Sequence, residues 1–92
     1  MKKYLMSLGL KDFEANYILG QVENADEFTV KELKGNTNIL LKYVPKESLT
    51  QIILLTPSII FHDGEYLENQ LKEIQKDYSD VEHYLLYNDN PI

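Results

Sequence analysis

TPSIIFHDGEYLE, residues 56–68, decides how the rest of the chain is read. It sets two hydroxyls, a histidine and several acids beside Pro57 and the pair Asp63-Gly64, so it is either a reactive centre or a corner. Pro57 has no N–H to give to a ladder, which predicts that it starts or bends a strand. The apolar run that follows, 58–61, predicts a buried strand. Asp63-Gly64 is a strong hairpin signal, because glycine accepts the positive φ such a turn requires and Asp63 can bond the turn backbone. Thr56, Ser58, His62 and Asp63 hold the residue types of a Ser-His-Asp group, but that chemistry needs base and nucleophile within about 3 Å. On a strand rising about 3.3 Å per residue, Ser58 and His62 share a face while lying about 13 Å apart. The stretch therefore predicts a corner, with Pro57, Asp63 and Gly64 in structural roles.

Outward from that corner, the clearest periodic element follows it. Leu67, Leu71, Ile74 and Tyr78 fall at i, i+4, i+7 and i+11, the spacing of one helical face. Glu68 and Lys72 add an i,i+4 pair on its outside. Residues 65–70 either return as a short strand or begin that helix. Residues 81–87 predict a strand or a docked tail, and 88–92 a frayed end. Towards the N-terminus, 28–33 (FTVKEL) alternates imperfectly and predicts a strand closed by the breaker Lys34-Gly35-Asn36. Residues 11–22 predict a helix with Phe13, Tyr17, Ile18 and Val22 as its stripe. Asp12 is its N-cap or adds charge to its first turn, and Gly20 weakens it by about 1 kcal/mol. Residues 23–26 read as a loop, and 1–8 alternate loosely as a short first strand. Residues 37–55 admit two readings. They begin with a strand pairing back through a Gly35-Asn36 turn, or they are helical with Leu40, Leu41 and Val44 on one face and Pro45 in the first turn of a second piece. The helical reading is preferred.

Ninety-two residues with 43% hydrophobic content predict one domain, 1–92, able to bury a core without metal or disulfide staples. The absence of cysteine removes thiolate chemistry, disulfides and Cys-based metal sites, and suits a reducing compartment. No apolar run approaches the roughly 20 residues that span a bilayer, and the start lacks a signal-peptide core, so the expectation is a cytoplasmic protein with no membrane partner. Net charge is −6 and all nine basic residues are lysine. Nucleic-acid binders show a basic face rich in arginine, so no direct nucleic-acid contact is expected. The arginine-free, Lys-, Asn-, Ile- and Tyr-rich composition suggests an AT-rich coding genome.

In order, strand, helix, strand, helix, Pro-initiated strand, Asp-Gly turn and helix resemble the thioredoxin fold, and its glutaredoxin branch in particular. Phe28-Thr29-Val30-Lys31-Glu32-Leu33 is similar to that family's second strand. The stretch Leu55-Thr56-Pro57-Ser58-Ile59-Ile60-Phe61-His62-Asp63-Gly64 is similar to its cis-proline segment. The resemblance covers Lys2 to about Tyr78. It implies an α/β fold, a small thioredoxin-like sheet with flanking helices, and a cis bond between Thr56 and Pro57. The alternative is an α+β fold with an antiparallel hairpin sheet. Where the family carries Cys-x-x-Cys this chain has Leu10-Lys11-Asp12-Phe13, and Glu68-Asn69 stands near the family's glutathione-binding Gly-Gly pair. The resemblance thus implies a fold kept without redox chemistry, inactive in glutathione-coupled disulfide reduction.

Chemical constellations are sparse. His62 and His83, with Asp63 and Glu82, lack the close spacing of a metal site, and the four glycines are too scattered for a phosphate loop. No cofactor and no catalytic residue is expected. The acids Glu65, Glu68, Glu73, Asp77, Asp80 and Glu82 gather in the C-terminal third. A solvated helix face is the common origin of such a cluster, and a docking surface for a basic protein partner is the functional one. Tyrosines among these acids favour the second, since tyrosine is enriched at interface hot spots. The expected protein-binding residues are Glu73, Asp77, Tyr78, Asp80, Tyr84 and Tyr87. The expectation is a non-catalytic protein-binding module, an inhibitor or adaptor of a phage or mobile element. The alternatives are a small-ligand protein or enzyme using a groove near Pro57 and Asp63, and an acidic DNA mimic that blocks a nucleic-acid-binding protein.

Overall fold

The segments expected as strands fold as helices and turns. The computed structural model describes residues 1–88 and 92, so the frayed end expected at 88–92 falls, at 89–91, outside them. Among the described residues there are six α-helices and three 3-10 turns. The helices are α1 (Lys2–Ser7), α2 (Asp12–Gln21), α3 (Val30–Leu41), α4 (Leu49–Leu55), α5 (Gly64–Asp77) and α6 (Val81–Tyr87). The turns are Ala25–Glu27, Lys46–Ser48 and Pro57–Ile60. No strand occurs among the described residues, which overturns the α/β sheet, the α+β alternative and the resemblance to the thioredoxin fold. No peptide bond among them is cis, so the bond expected to be cis before Pro57 is trans.

The first strand expected at 1–8 is α1, with Leu5 fully buried. It ends at Gly9, whose φ of +110° lets the chain reverse into α2. A side chain at Gly9 would be strained there and would also meet the Thr50 methyl at 3.5 Å. In α2 the expected helix is present but rotated. Ala15, Ile18 and Val22 are buried, whereas Phe13 and Tyr17 point to solvent. Lys11, not Asp12, holds the N-cap position, and Asp12 lies in the first turn. A lysine has no acceptor to offer the helix, so only the return bond of a capping box forms, from Lys11 N–H to Glu14 (2.8 Å).

The strand expected at 28–33 is the start of α3. Thr29 and Glu32 make a complete capping box: Glu32 N–H donates to Thr29 Oγ1 (3.1 Å) and Thr29 N–H to Glu32 Oε1 (2.9 Å). The residues α3 buries are Leu33, Asn36, Thr37 and Leu40, at i, i+3, i+4 and i+7. Gly35-Asn36 is thus helix interior rather than a turn. The helical reading of 37–55 holds, with Leu40 and Val44 buried and Leu41 at the surface. Pro45 precedes the 46–48 turn, where a missing N–H costs nothing.

The corner at 57–63 lies at the centre of the fold. Its 3-10 turn packs on α2, α3 and α4, and Ile59, Ile60 and Phe61 are buried. The Phe61 ring meets Phe28 edge-to-face, with centroids 5.6 Å apart. Because the backbone here makes no ladder, its carbonyls need other donors. Asn36, itself buried, supplies them: its Nδ2 donates to Ile60 O (2.8 Å) and His62 O (2.7 Å). Thr37, beside it, donates to Leu33 O (2.7 Å) and accepts from the Tyr4 hydroxyl (3.0 Å), tying α1 to α3.

Asp63-Gly64 opens a helix rather than a hairpin. Asp63 stands at the N-cap of α5 with no side-chain cap bond, and Gly64 lies where α5 crosses α3. A Cβ on Gly64 would come within 3.4 Å of Asn36 Oδ1 and Ile39 Cδ1, a close approach that glycine permits. Leu67, Leu71 and Ile74 are buried as their spacing predicts, while Tyr78 leaves the stripe at the C-cap. Glu68 does not take Lys72 as its nearest partner. It accepts from Lys42 and from the Tyr43 hydroxyl (2.7 Å), joining α5 to the end of α3. Burial, with the Glu68 carboxylate beside it, pushes the Tyr43 phenol up to about 12. The bonds from Lys42 and Tyr43 hold Glu68 below the usual carboxylate range.

The last expected strand is α6, which packs on α4 and α5 through Val81 and Leu85. The radius of gyration, 12.3 Å, matches the roughly 12 Å of a packed chain of this length, so all six helices close on one core. No helix among the described residues is long and apolar enough to cross a membrane.

Candidate acidic-aromatic cleft

α5 stops at Tyr78, whose N–H still reaches Ile74 O (2.8 Å) while its own φ of −134° takes the chain out of the helix. Asp80 then caps α6, accepting from His83 N–H at 3.0 Å. This short corner folds α6 back and lays Tyr84 against Tyr78, with ring centroids 4.6 Å apart and planes at 41°. On the next turn of α6, His83 and Tyr87 stack at 4.7 Å. Between α5 and α6 lies a cleft of about 440 Å³ whose lining includes Asp77, Tyr78, Asp80, His83 and Tyr84. Tyr78 is half exposed and Tyr84 half-buried, so one ring presents a free face and the other supports it.

Four of the six expected binding residues therefore meet: Asp77, Tyr78, Asp80 and Tyr84. Tyr87 reaches the cleft only through its stack with His83. Glu73 is not among the cleft's lining residues and is paired with Lys76 at 3.1 Å. Other acids of the cluster are also occupied, Glu68 by Lys42 and Tyr43, and Glu82 by the Ser48 hydroxyl. Among the described residues no ion pair engages Asp77 or Asp80, and the only bond to either side chain that joins parts of the cleft is the cap to His83. The cleft thus carries two carboxylates, with His83 beside them and no lysine among its lining residues. Ser79 and His83 also line it but were not expected. The spacing of His83 and Tyr87, four apart, signals a shared helical face, but the reading of 81–87 as a strand or a docked tail concealed it.

The structural residues of the corner take other places. Pro57 opens the 57–60 turn and, with Leu55, Ser58, Leu85 and Tyr87, lines a second cleft of about 550 Å³, whereas Asp63 begins α5. Asp63 is not among the residues lining that second cleft. No hydrogen bond among the described residues joins Ser58, His62 and Asp63, and no group of three or more His, Asp or Glu there is placed to hold a metal.

His62 lies with its ring 5.1 Å from Tyr66 and its Nε2 buried without a hydrogen-bond partner. Burial lowers its pKa from the ordinary value. A histidine whose folded pKa lies below its unfolded value, about 6.5, contributes no penalty when both states are neutral. As pH falls through the unfolded value, the unfolded chain takes a proton that the native chain resists, and stability declines. The urea midpoint of the wild type should therefore fall between pH 7.5 and about 5.5, above the main carboxylate titration, and fall less in His62→Phe. Parallel declines in the two proteins would show that His62 is not the cause.

No family model matches the chain, and neither a curated protein nor a solved structure matches it, so the functional reading rests on the geometry of this cleft.

Proposed function

We propose that this chain is a non-catalytic protein-binding module, an inhibitor or adaptor acting in the cytoplasm, that engages a basic segment of a partner protein through the α5–α6 cleft. The observation that carries the reading is the Tyr78 and Tyr84 ring pair in one cleft with two carboxylates that no ion pair engages among the described residues. Half-exposed tyrosine supplies rigid amphipathic contact area, the chemistry of interface hot spots. The surrounding negative field, under a net charge of −6, steers a basic surface towards it.

The test separates folding from binding. Asp80→Asn removes a charge yet keeps a good N-cap acceptor, whereas Asp80→Lys would also cost about 1 kcal/mol by uncapping α6. The double variant Asp77→Asn/Asp80→Asn should melt within a few degrees of wild type. A partner captured stoichiometrically by the wild-type protein should associate roughly tenfold more slowly with this variant at low salt, and added salt should narrow the gap. Unchanged association would place the interface elsewhere.

A further inference from the structure

We infer that the α5–α6 cleft receives one arginine side chain of the partner, its guanidinium lying on the exposed face of Tyr78 and donating to Asp77 and Asp80; this rests on the reading of the cleft as the interface. A volume of about 440 Å³ sits near the low end of ligand-sized clefts, roughly 300–1,000 Å³, and admits a side chain rather than a helix. Its walls call for a cation with two properties at once. The ring of Tyr78 is half exposed and packs against Tyr84 at 4.6 Å with the planes tilted by 41°, so it offers aromatic surface that a neighbouring ring holds in place. The carboxylates stand on either side of that ring in sequence, Asp77 before it and Asp80 after the turn. One oxygen of Asp80 is committed to His83 N–H, which leaves its second oxygen and both oxygens of Asp77 as acceptors.

A planar, weakly hydrated cation with several diverging donors suits this arrangement. Guanidinium stacks on an aromatic face and forks onto carboxylates in the same plane, whereas an ammonium is a compact point charge that keeps its water. The chain cannot supply such a cation itself: it has no arginine, the lysine next to Asp77, Lys76, is turned to Glu73, and His83, which also lines the cleft, packs its ring on Tyr87 and meets Asp80 through its backbone N–H. The guanidinium must come from outside.

The experiment titrates the isotopically labelled full chain with three blocked tripeptides, acetyl-Gly-Xaa-Gly-amide, in which Xaa is arginine, lysine or citrulline. Citrulline keeps the shape of arginine and removes its charge. Amide resonances of residues 77–84 should shift saturably with the arginine peptide, at least threefold more weakly with lysine, and not with citrulline. The arginine response should be lost in Tyr78→Leu and in Asp77→Asn, each judged folded by an unchanged spectrum elsewhere. If Tyr78→Leu disturbs folding, Asp77→Asn alone carries the comparison. Equal responses to arginine and lysine, a response to citrulline, shifts outside the cleft or no shift would each overturn the inference. The same two variants are offered to the captured partner. If the partner is lost while the peptides show no arginine preference, only the arginine assignment falls. If the partner binds both variants as it binds wild type, the interface reading falls with it.

Discussion

Asn36→Ala should destabilise the protein by roughly 2–6 kcal/mol, because it strips the donor from one buried and one partly buried carbonyl at about 1–3 kcal/mol each. Asn36 Nδ2 is the bridge between α3 and the central corner, reaching Ile60 O and His62 O. The decisive comparison is Asn36→Asp, which keeps the volume and replaces the two amide donors with acceptors. If the site required only volume, the aspartate would be nearly silent. If it requires donors, the aspartate should cost more than alanine at neutral pH, since it adds a charge in a place where Asn36 is 3% exposed. Urea denaturation with an unchanged m-value measures both. A loss below about 0.5 kcal/mol in Asn36→Asp would show that the two bonds do not hold the corner. The same variants should speed hydrogen exchange at residues 59–63 before they affect α6.

Leu71→Ala should cost about 2–5 kcal/mol through the cavity it leaves in the face that α5 presents to the core. Leu71 is fully buried between Leu67 and Ile74 on that face. Against a total stability of about 5–15 kcal/mol the loss is large. At about 4–8 °C per kcal/mol for a domain of this size, it should lower Tm by about 8 °C or more. Asp77→Asn, a few residues along the same helix but exposed, should change stability by no more than about 0.5 kcal/mol. A loss under 1 kcal/mol for Leu71→Ala would contradict the burial of this face.

α5 shows what was legible. Its Leu67, Leu71 and Ile74 spacing is a property of local hydropathy, and the fold needed only to supply something to bury it against. The concentration of acids and tyrosines in the C-terminal third is likewise a local property, whereas the sharing of one cleft by Asp77, Tyr78, Asp80 and Tyr84 is a matter of geometry. α3 was partly legible, because Thr29 and Glu32 spell a capping box that an irregular alternation at 28–33 outweighed. The rest of α3 was hidden for a physical reason: two of its buried positions are Asn36 and Thr37, and polar residues do not register as a core stripe.

Tertiary structure decided what those two residues are for. The carbonyls that Asn36 satisfies and the Tyr4 hydroxyl bonded to Thr37 lie on other elements, distant in sequence. It also decided the state of 57–61, since the short buried apolar run 59–61 within it has no periodicity to distinguish strand from turn. Likewise, Asp63-Gly64 opens a helix because its close neighbours are Asn36 and Ile39 rather than a returning strand. Which face of α2 turns inward depends on α1, α4 and the 57–60 turn packed against it, and whether six residues of similar composition meet or only four depends on how α6 folds back from the Asp80 cap. Local sequence sets which segments can be helices and where charge accumulates; contacts between distant residues choose the faces, because burial is a property of the neighbours a side chain acquires.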